Sequence, residues 1–184
     1  NKVTSIPQLN QSIKKFKASN NQIDHIVEQE LKSLKDFDIS KNKMHIFPTE
    51  IQMPKGNSII VKRNQIEEFN FNIIPINKVL STNITVIDIS FNQISSIPKE
   101  IFENLPNLHS FYAFFNNITS IPSEIANCKA LYNLGISSNP IKKLPKLPKS
   151  LDRIIASNCQ IDSFHSDIFI DATPSDLFLT HVDL

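Results

Sequence analysis

Phe111, Tyr112, Phe114 and Phe115 set four aromatic rings within five residues, in the stretch FYAFFNNI of a chain whose aromatic content is 8%. Rings at this density suit recognition, because flat, rigid side chains bury large areas at low entropic cost. A strand turns successive side chains to opposite faces, so the four rings cannot all enter one core. Some must face water or a partner. No pattern for bond-making chemistry competes with this one. The sequence holds no glycine-rich phosphate loop, no paired-cysteine motif and no HExxH. His25, His45, His109, His165 and His181 have no spacing that predicts a metal site or an activated nucleophile. No catalytic, metal or cofactor-binding residue is therefore expected. Cys128 and Cys159 are too few for a disulfide framework and read as free thiols, buried in a reducing compartment.

An internal repeat positions the rings. IKKFKASNNQI leads to Asn21 and Ile23, LKDFDISKNKM to Asn42 and Met44, and GNSIIVKRNQI to Asn64 and Ile66. ITVIDISFNQI, LHSFYAFFNNI and LYNLGISSNPI carry Asn92, Asn116 and Asn139 in the same place, and LDRIIASNCQI puts Cys159 there. Partial units open the chain at Asn1 and Val3 and close it at Leu177 and Leu179. Two apolar residues one apart, such as Ile87 and Ile89, point the same way from a short strand. The Asn that follows sits at the bend, where its amide both donates and accepts for backbone groups left by the turning chain. Each unit then turns back through Ile6-Pro7, Ile97-Pro98 or Ile121-Pro122, with Phe47-Pro48 and Leu144-Pro145 as variants. Segments such as KEIFENLPNL and SEIANCKAL read as short helical or extended returns, and LPKLPKSL as a tighter extended one. One such unit cannot offset its own ordering entropy, so the units must stack.

The frame L-x-x-L-x-L-x-x-N-x-L, at a spacing of roughly 20–28 residues, resembles the leucine-rich-repeat family along nearly the whole chain. The resemblance implies an α/β-type repeat solenoid: a right-handed horseshoe with about eight short parallel strands and irregular convex turns. One domain over residues 1–184 is expected, read as a fragment of a longer protein because the chain opens on a ladder Asn. The unit from Gly56 to Asn83 is expected to bulge through FNFNIIPINKVL on the convex side.

The residues between frame positions point into the concave face. Phe111 and Ala113 belong to the frame, so Tyr112 and Phe114 face outward and Phe115 lies at the rim. The same frame sets Phe91 beside Phe115 from the preceding repeat and Tyr132 from the next, with Val86 nearby. Phe91 and Phe115 read equally well as packing against neighbouring turns. Lys15, Lys17, Asp36, Asp38, Lys62 and Arg63, then Asp88, Asn133, Arg153 and Asp176, supply a mixed charged surround that fits an interface rim. The candidate protein-binding residues are thus Tyr112, Phe114, Phe115, Phe91, Tyr132, Lys62 and Arg63.

A net charge of +1 argues against a nucleic-acid partner, and no apolar run is long enough to span a bilayer. The expectation is a non-enzymatic, cytoplasmic scaffold or regulatory subunit that binds a protein on its concave face. Similarity to intracellular leucine-rich-repeat scaffolds implies a phosphatase or Ras-type GTPase as partner. The alternatives are a regulatory arm of a larger phosphatase, kinase or cyclase, and an extracellular receptor ectodomain. Asn10, Asn83 and Asn117 head three glycosylation sequons that support the last reading only weakly.

Overall fold

A computed structural model describes residues 2–49, 51–69, 82–162, 168 and 174–179. The strands in chain order are β1 (Ser5–Ile6), β2 (Lys15–Lys17), β3 (His25–Ile26), β4 (Gln29–Glu30), β5 (Asp36–Asp38) and β6 (Ile51–Gln52). They continue with β7 (Ser58–Ile60), β8 (Val86–Asp88), β9 (Ser110–Tyr112), β10 (Asn133–Gly135), β11 (Arg153–Ile155) and β12 (Asp176–Phe178). Eight of them form one sheet in the order β2-β5-β7-β8-β9-β10-β11-β12, with every pairing parallel. Each coil therefore lies beside its sequence neighbours, as a repeat that cannot bury its apolar face alone requires. The expected solenoid and its eight parallel strands are both present.

The middle residue of each inner strand enters the core: Phe37, Ile59, Ile87, Phe111, Leu134 and Ile154 are buried. So are the residues two further on, Ile39, Val61, Ile89, Ala113, Ile136 and Ala156. The end strands have one neighbour each in this sheet, and their frame residues are less covered. Phe16 is half-buried and Leu177 is exposed.

The asparagines form the expected ladder. Asn42 Oδ1 accepts the Ile23 N–H of the preceding coil at 3.0 Å. Its Nδ2 donates to the Ala18 carbonyl of that coil and to the Ile39 carbonyl of its own, each at 2.9 Å. Asn64, Asn92, Asn116 and Asn139 repeat this geometry coil by coil. Cys159 keeps part of it, its Sγ donating to the Ile136 carbonyl at 3.4 Å. A thiol lacks the amide's separate donor and acceptor groups.

The residue before each ladder position lies in the left-handed region. Asn20, Lys41, Arg63, Phe91, Phe115, Ser138 and Asn158 have φ between 51° and 60°. Asn, which visits this region more readily than other side chains, holds it at 20 and 158. The other five positions hold side chains for which the conformation costs about 1–2 kcal/mol.

Coil length decides the form of the return. The 24 residues from Asn92 to Asn116 accommodate an α-helix, Glu100–Asn104, and the 23 from Asn116 to Asn139 a 3₁₀ turn, Ser123–Asn127. Helical residues advance only about 1.5–2 Å, so a longer coil absorbs its additional residues there. The shorter early coils run extended and pair as β1–β3 and β4–β6. The return after Asn139 has neither helix nor strand, in keeping with Pro140, Pro145 and Pro148. Most of FNFNIIPINKVL falls in 70–81, outside the described residues. Cys128 and Cys159 are free and buried in different coils.

Candidate functional site

Tyr112 ends β9 on the outer face of the sheet, and Phe114 follows two residues later on the same side. Their rings stack at 5.8 Å with 17° between planes. The pairing of β9 with β10 sets Gly135 opposite Tyr112. The Phe114 ring lies on this glycine: a Cβ there would come within 2.2 Å of Phe114 Cζ. Both rings are half-buried rather than freely exposed, because Gly135 offers Phe114 a seat on the sheet. The register continues from Gly135 to Ile155 and on to Phe178. Ile155 is half-buried and Phe178 is 48% exposed. Tyr112, Phe114, Ile155 and Phe178 thus form one apolar ribbon over four strands, about 14 Å long at the usual strand spacing. Ile155 and Phe178 are absent from the sequence-based site. The signal was present: Phe178 lies between Leu177 and Leu179, the outward position that Tyr112 holds between Phe111 and Ala113.

A second aromatic feature runs along the left-handed row. Phe91 and Phe115 stack at 4.5 Å with 15° between planes, and the Arg63 guanidinium sits 4.2 Å over the other face of Phe91. The expectation that Phe91 flanks Phe115 is met, and Arg63 joins them. Arg63 belongs to this row and not to the strand face. Phe115 is 52% exposed.

Tyr132 does not join either group. It precedes β10, level with His109, six residues back along the coil from the Phe115 level. Its ring stacks on His109 at 5.2 Å. A hydrogen bond to Asp152 raises the Tyr132 phenol and, with a second from Ser175, holds the Asp152 carboxyl below its ordinary value. The offset arises because the sequence shows which coil a ring belongs to, while its place along the coil depends on strand register.

Ion pairs lie across the sheet face. Lys15 meets Asp36 at 3.3 Å, Lys62 meets Asp88 at 3.3 Å, and Arg153 holds Asp176 through Nε at 2.9 Å. Burial pushes the Asp36 carboxyl up, but hydrogen bonds from Ser58, Lys15 and Asn57 outweigh it and leave it below the ordinary value. Among the described residues, no three His, Cys, Asp or Glu side chains converge as a metal site requires. No helix among them is long and apolar enough to cross a membrane.

A family model described as leucine rich repeat matches residues 82–141, the coils that carry these rings. Osteomodulin of Bos taurus is 30% identical over 84 residues, which span 46% of this chain and 20% of that protein. A probable serine/threonine-protein kinase of Dictyostelium discoideum is 44% identical over 52 residues, 28% of this chain and 4% of the kinase. The chain thus covers a fifth or less of these two relatives. A leucine-rich-repeat protein of Leptospira interrogans superposes on the fold with a TM-score of 0.79 at 27% identity, over 91% of this chain and 44% of the other. Repeat frame, asparagine ladder, parallel solenoid and these likenesses agree: the chain is a leucine-rich-repeat protein.

Proposed function

We propose that this chain binds a partner protein on the outer face of its eight-stranded sheet. The leucine-rich-repeat fold supports protein interaction in general. The observation that favours this face is the ribbon of Tyr112, Phe114, Ile155 and Phe178. Contiguous apolar area of this kind, rimmed by the pairs Lys62–Asp88 and Arg153–Asp176, has the composition of an interface centre and its polar edge. The module acts as a scaffold or regulatory part without chemistry of its own. We place it in the cytoplasm, a reading supported by two buried free thiols. Similarity to intracellular scaffolds suggests a phosphatase or Ras-type GTPase as partner.

The test is a pull-down from lysate with the wild-type chain, followed by affinity measurement on the protein retrieved. Replacing Tyr112 and Phe114 together by Ala should weaken binding by roughly 2 kcal/mol or more. Because both rings are half-buried, the change should also cost about 1 kcal/mol of stability, small enough to keep the fold. Undiminished binding by the double variant would remove this face from consideration. The convex loop around 71–79, which lies outside the described residues, would then be the next candidate. The second reading is a regulatory arm of a larger enzyme. It is favoured by the 44% identity to part of a probable kinase, and the full reading frame decides it.

A further inference from the structure

The left-handed row carries a feature that the turn itself does not require. Asn20, Ser138 and Asn158 occupy the same backbone position as Phe91 and Phe115, so the bend needs no ring. Two bulky residues nonetheless sit where positive φ disfavours them. Successive coils bring this row into stacking register. Arg63 covers one face of Phe91, and Phe115 covers the other. The outer face of Phe115 points toward the next rung, Ser138, whose side chain ends at a hydroxyl. The rung beyond is Asn158, which is exposed.

The place above Phe115 is therefore open for one rung, about 4.8 Å on either side of the Ser138 level. The Phe115 ring bounds this place on one side, and Ser138 and Asn158 hold the next two rungs of the row. The ring has a negative face, and the hydroxyl of Ser138 and the carboxamide of Asn158 each carry an oxygen able to accept. A flat cation fits such a slot, attracted by the ring and able to donate to both oxygens. A carboxylate would meet the negative face of the ring, and a neutral flat group would lack the charge that this face attracts. Arg63 already makes this contact at the other end of the same stack.

We infer that the slot bounded by Phe115, Ser138 and Asn158 receives the guanidinium of an arginine side chain on the bound partner. It completes a cation–ring–ring–cation stack that begins at Arg63. The inference rests on the reading that a protein docks on the adjacent sheet face, and it adds the charge of the partner's rim.

The probe is the peptide acetyl-Gly-Arg-Gly-amide, titrated into the whole chain and followed by the aromatic NMR signals of Phe115. Saturable shifts are expected, weak in absolute affinity. The same peptide with citrulline, flat but neutral, should bind at least about threefold less tightly. Phe115→Ala should abolish the response. Ser138→Arg should supply a guanidinium from the chain itself, at a backbone position that Arg63 shows to tolerate one. It should shift the Phe115 signals without peptide and lower peptide affinity about fivefold or more. The Tyr112→Ala/Phe114→Ala variant should keep the arginine response, so failure of the sheet-face reading and failure of the slot are told apart. Equal binding of arginine and citrulline peptides would overturn the assignment. So would a response that survives Phe115→Ala, or no saturable shift of Phe115.

Discussion

Asn116 joins two coils through one amide. Its Oδ1 accepts from the Ile94 N–H at 3.0 Å, and its Nδ2 donates to the Ile89 carbonyl at 3.0 Å and the Ala113 carbonyl at 3.3 Å. Asn116→Ala leaves these backbone groups without that partner in a site that is 6% exposed. A stability loss of about 2–4 kcal/mol is expected in urea unfolding, since buried groups deprived of a bond cost more than the bond contributes. A loss below about 1 kcal/mol would mean that water replaces the amide. The thiols give a second residue-scale prediction. Burial pushes Cys128 from 9.0 to about 12, and it raises Cys159 in the same direction. Above pH 9 the unfolded chain ionises its thiols while the folded chain keeps them protonated. The stabilising difference is fully present below pH 9 and is lost as pH rises toward the folded value, at no more than about 1.4 kcal/mol per pH unit for each thiol. Tyr132, raised by its bond to Asp152, acts in the same direction. Urea midpoints between pH 8 and 11 should therefore fall less steeply in Cys128→Ala than in the parent. Parallel curves would contradict the assignment.

Among the elements, β10 sets the shape of the ribbon through its last residue. Gly135 lies under Phe114, and a methyl group there would overlap the tip of that ring. The tip belongs to a side chain that can swing outward, so Gly135→Ala should cost about 1 kcal/mol or less. It should also separate Phe114 from Tyr112. NMR contacts between the two rings, now 5.8 Å apart, should disappear while the amide pattern of the other strands stays. A loss of several kcal/mol would show instead that the ring is wedged. This seat was not legible in the sequence, because Gly135 reads there only as an outward position of a repeat. The frame itself was legible: apolar residues one apart, followed by Asn, can satisfy strand period and bend chemistry together in only one way. Phe115 read as a rim residue for the same reason. What remained hidden depends on register between coils. The offset of Tyr132 from Phe115, the alignment of Phe178 with Gly135, and the stacking of Arg63 on Phe91 are relations between residues roughly twenty to forty positions apart, set by pairings that no single repeat encodes.

At the scale of the molecule, the main sheet is a single file. Each of its strands pairs only with the coils before and after, from β2 at one end to β12 at the other. Stability in such an array is a sum of coil terms and nearest-neighbour terms, so the position of a lesion matters as much as its size. Ile87 in β8 and Ile89, one residue past its end, are fully buried in a coil with neighbours on both sides. Truncating both to Ala should cost roughly 4–8 kcal/mol, from two cavities of ordinary size. The same lesion also cuts the file near its middle. The coils before β8 and those after it should then unfold in separate steps, with a smaller denaturant slope for each because each exposes less surface. Phe16 is the control, a half-buried frame residue in the end strand β2 with one stacked neighbour, Phe37, at 5.8 Å. Phe16→Ala should fray the first coil and leave one main transition of nearly unchanged slope. The check is urea unfolding followed by circular dichroism and by hydrogen exchange resolved along the chain. If Ile87→Ala/Ile89→Ala unfolds in one step with the parent's slope, and protection falls equally on both sides of β8, then coupling reaches beyond nearest neighbours and the single-file description fails.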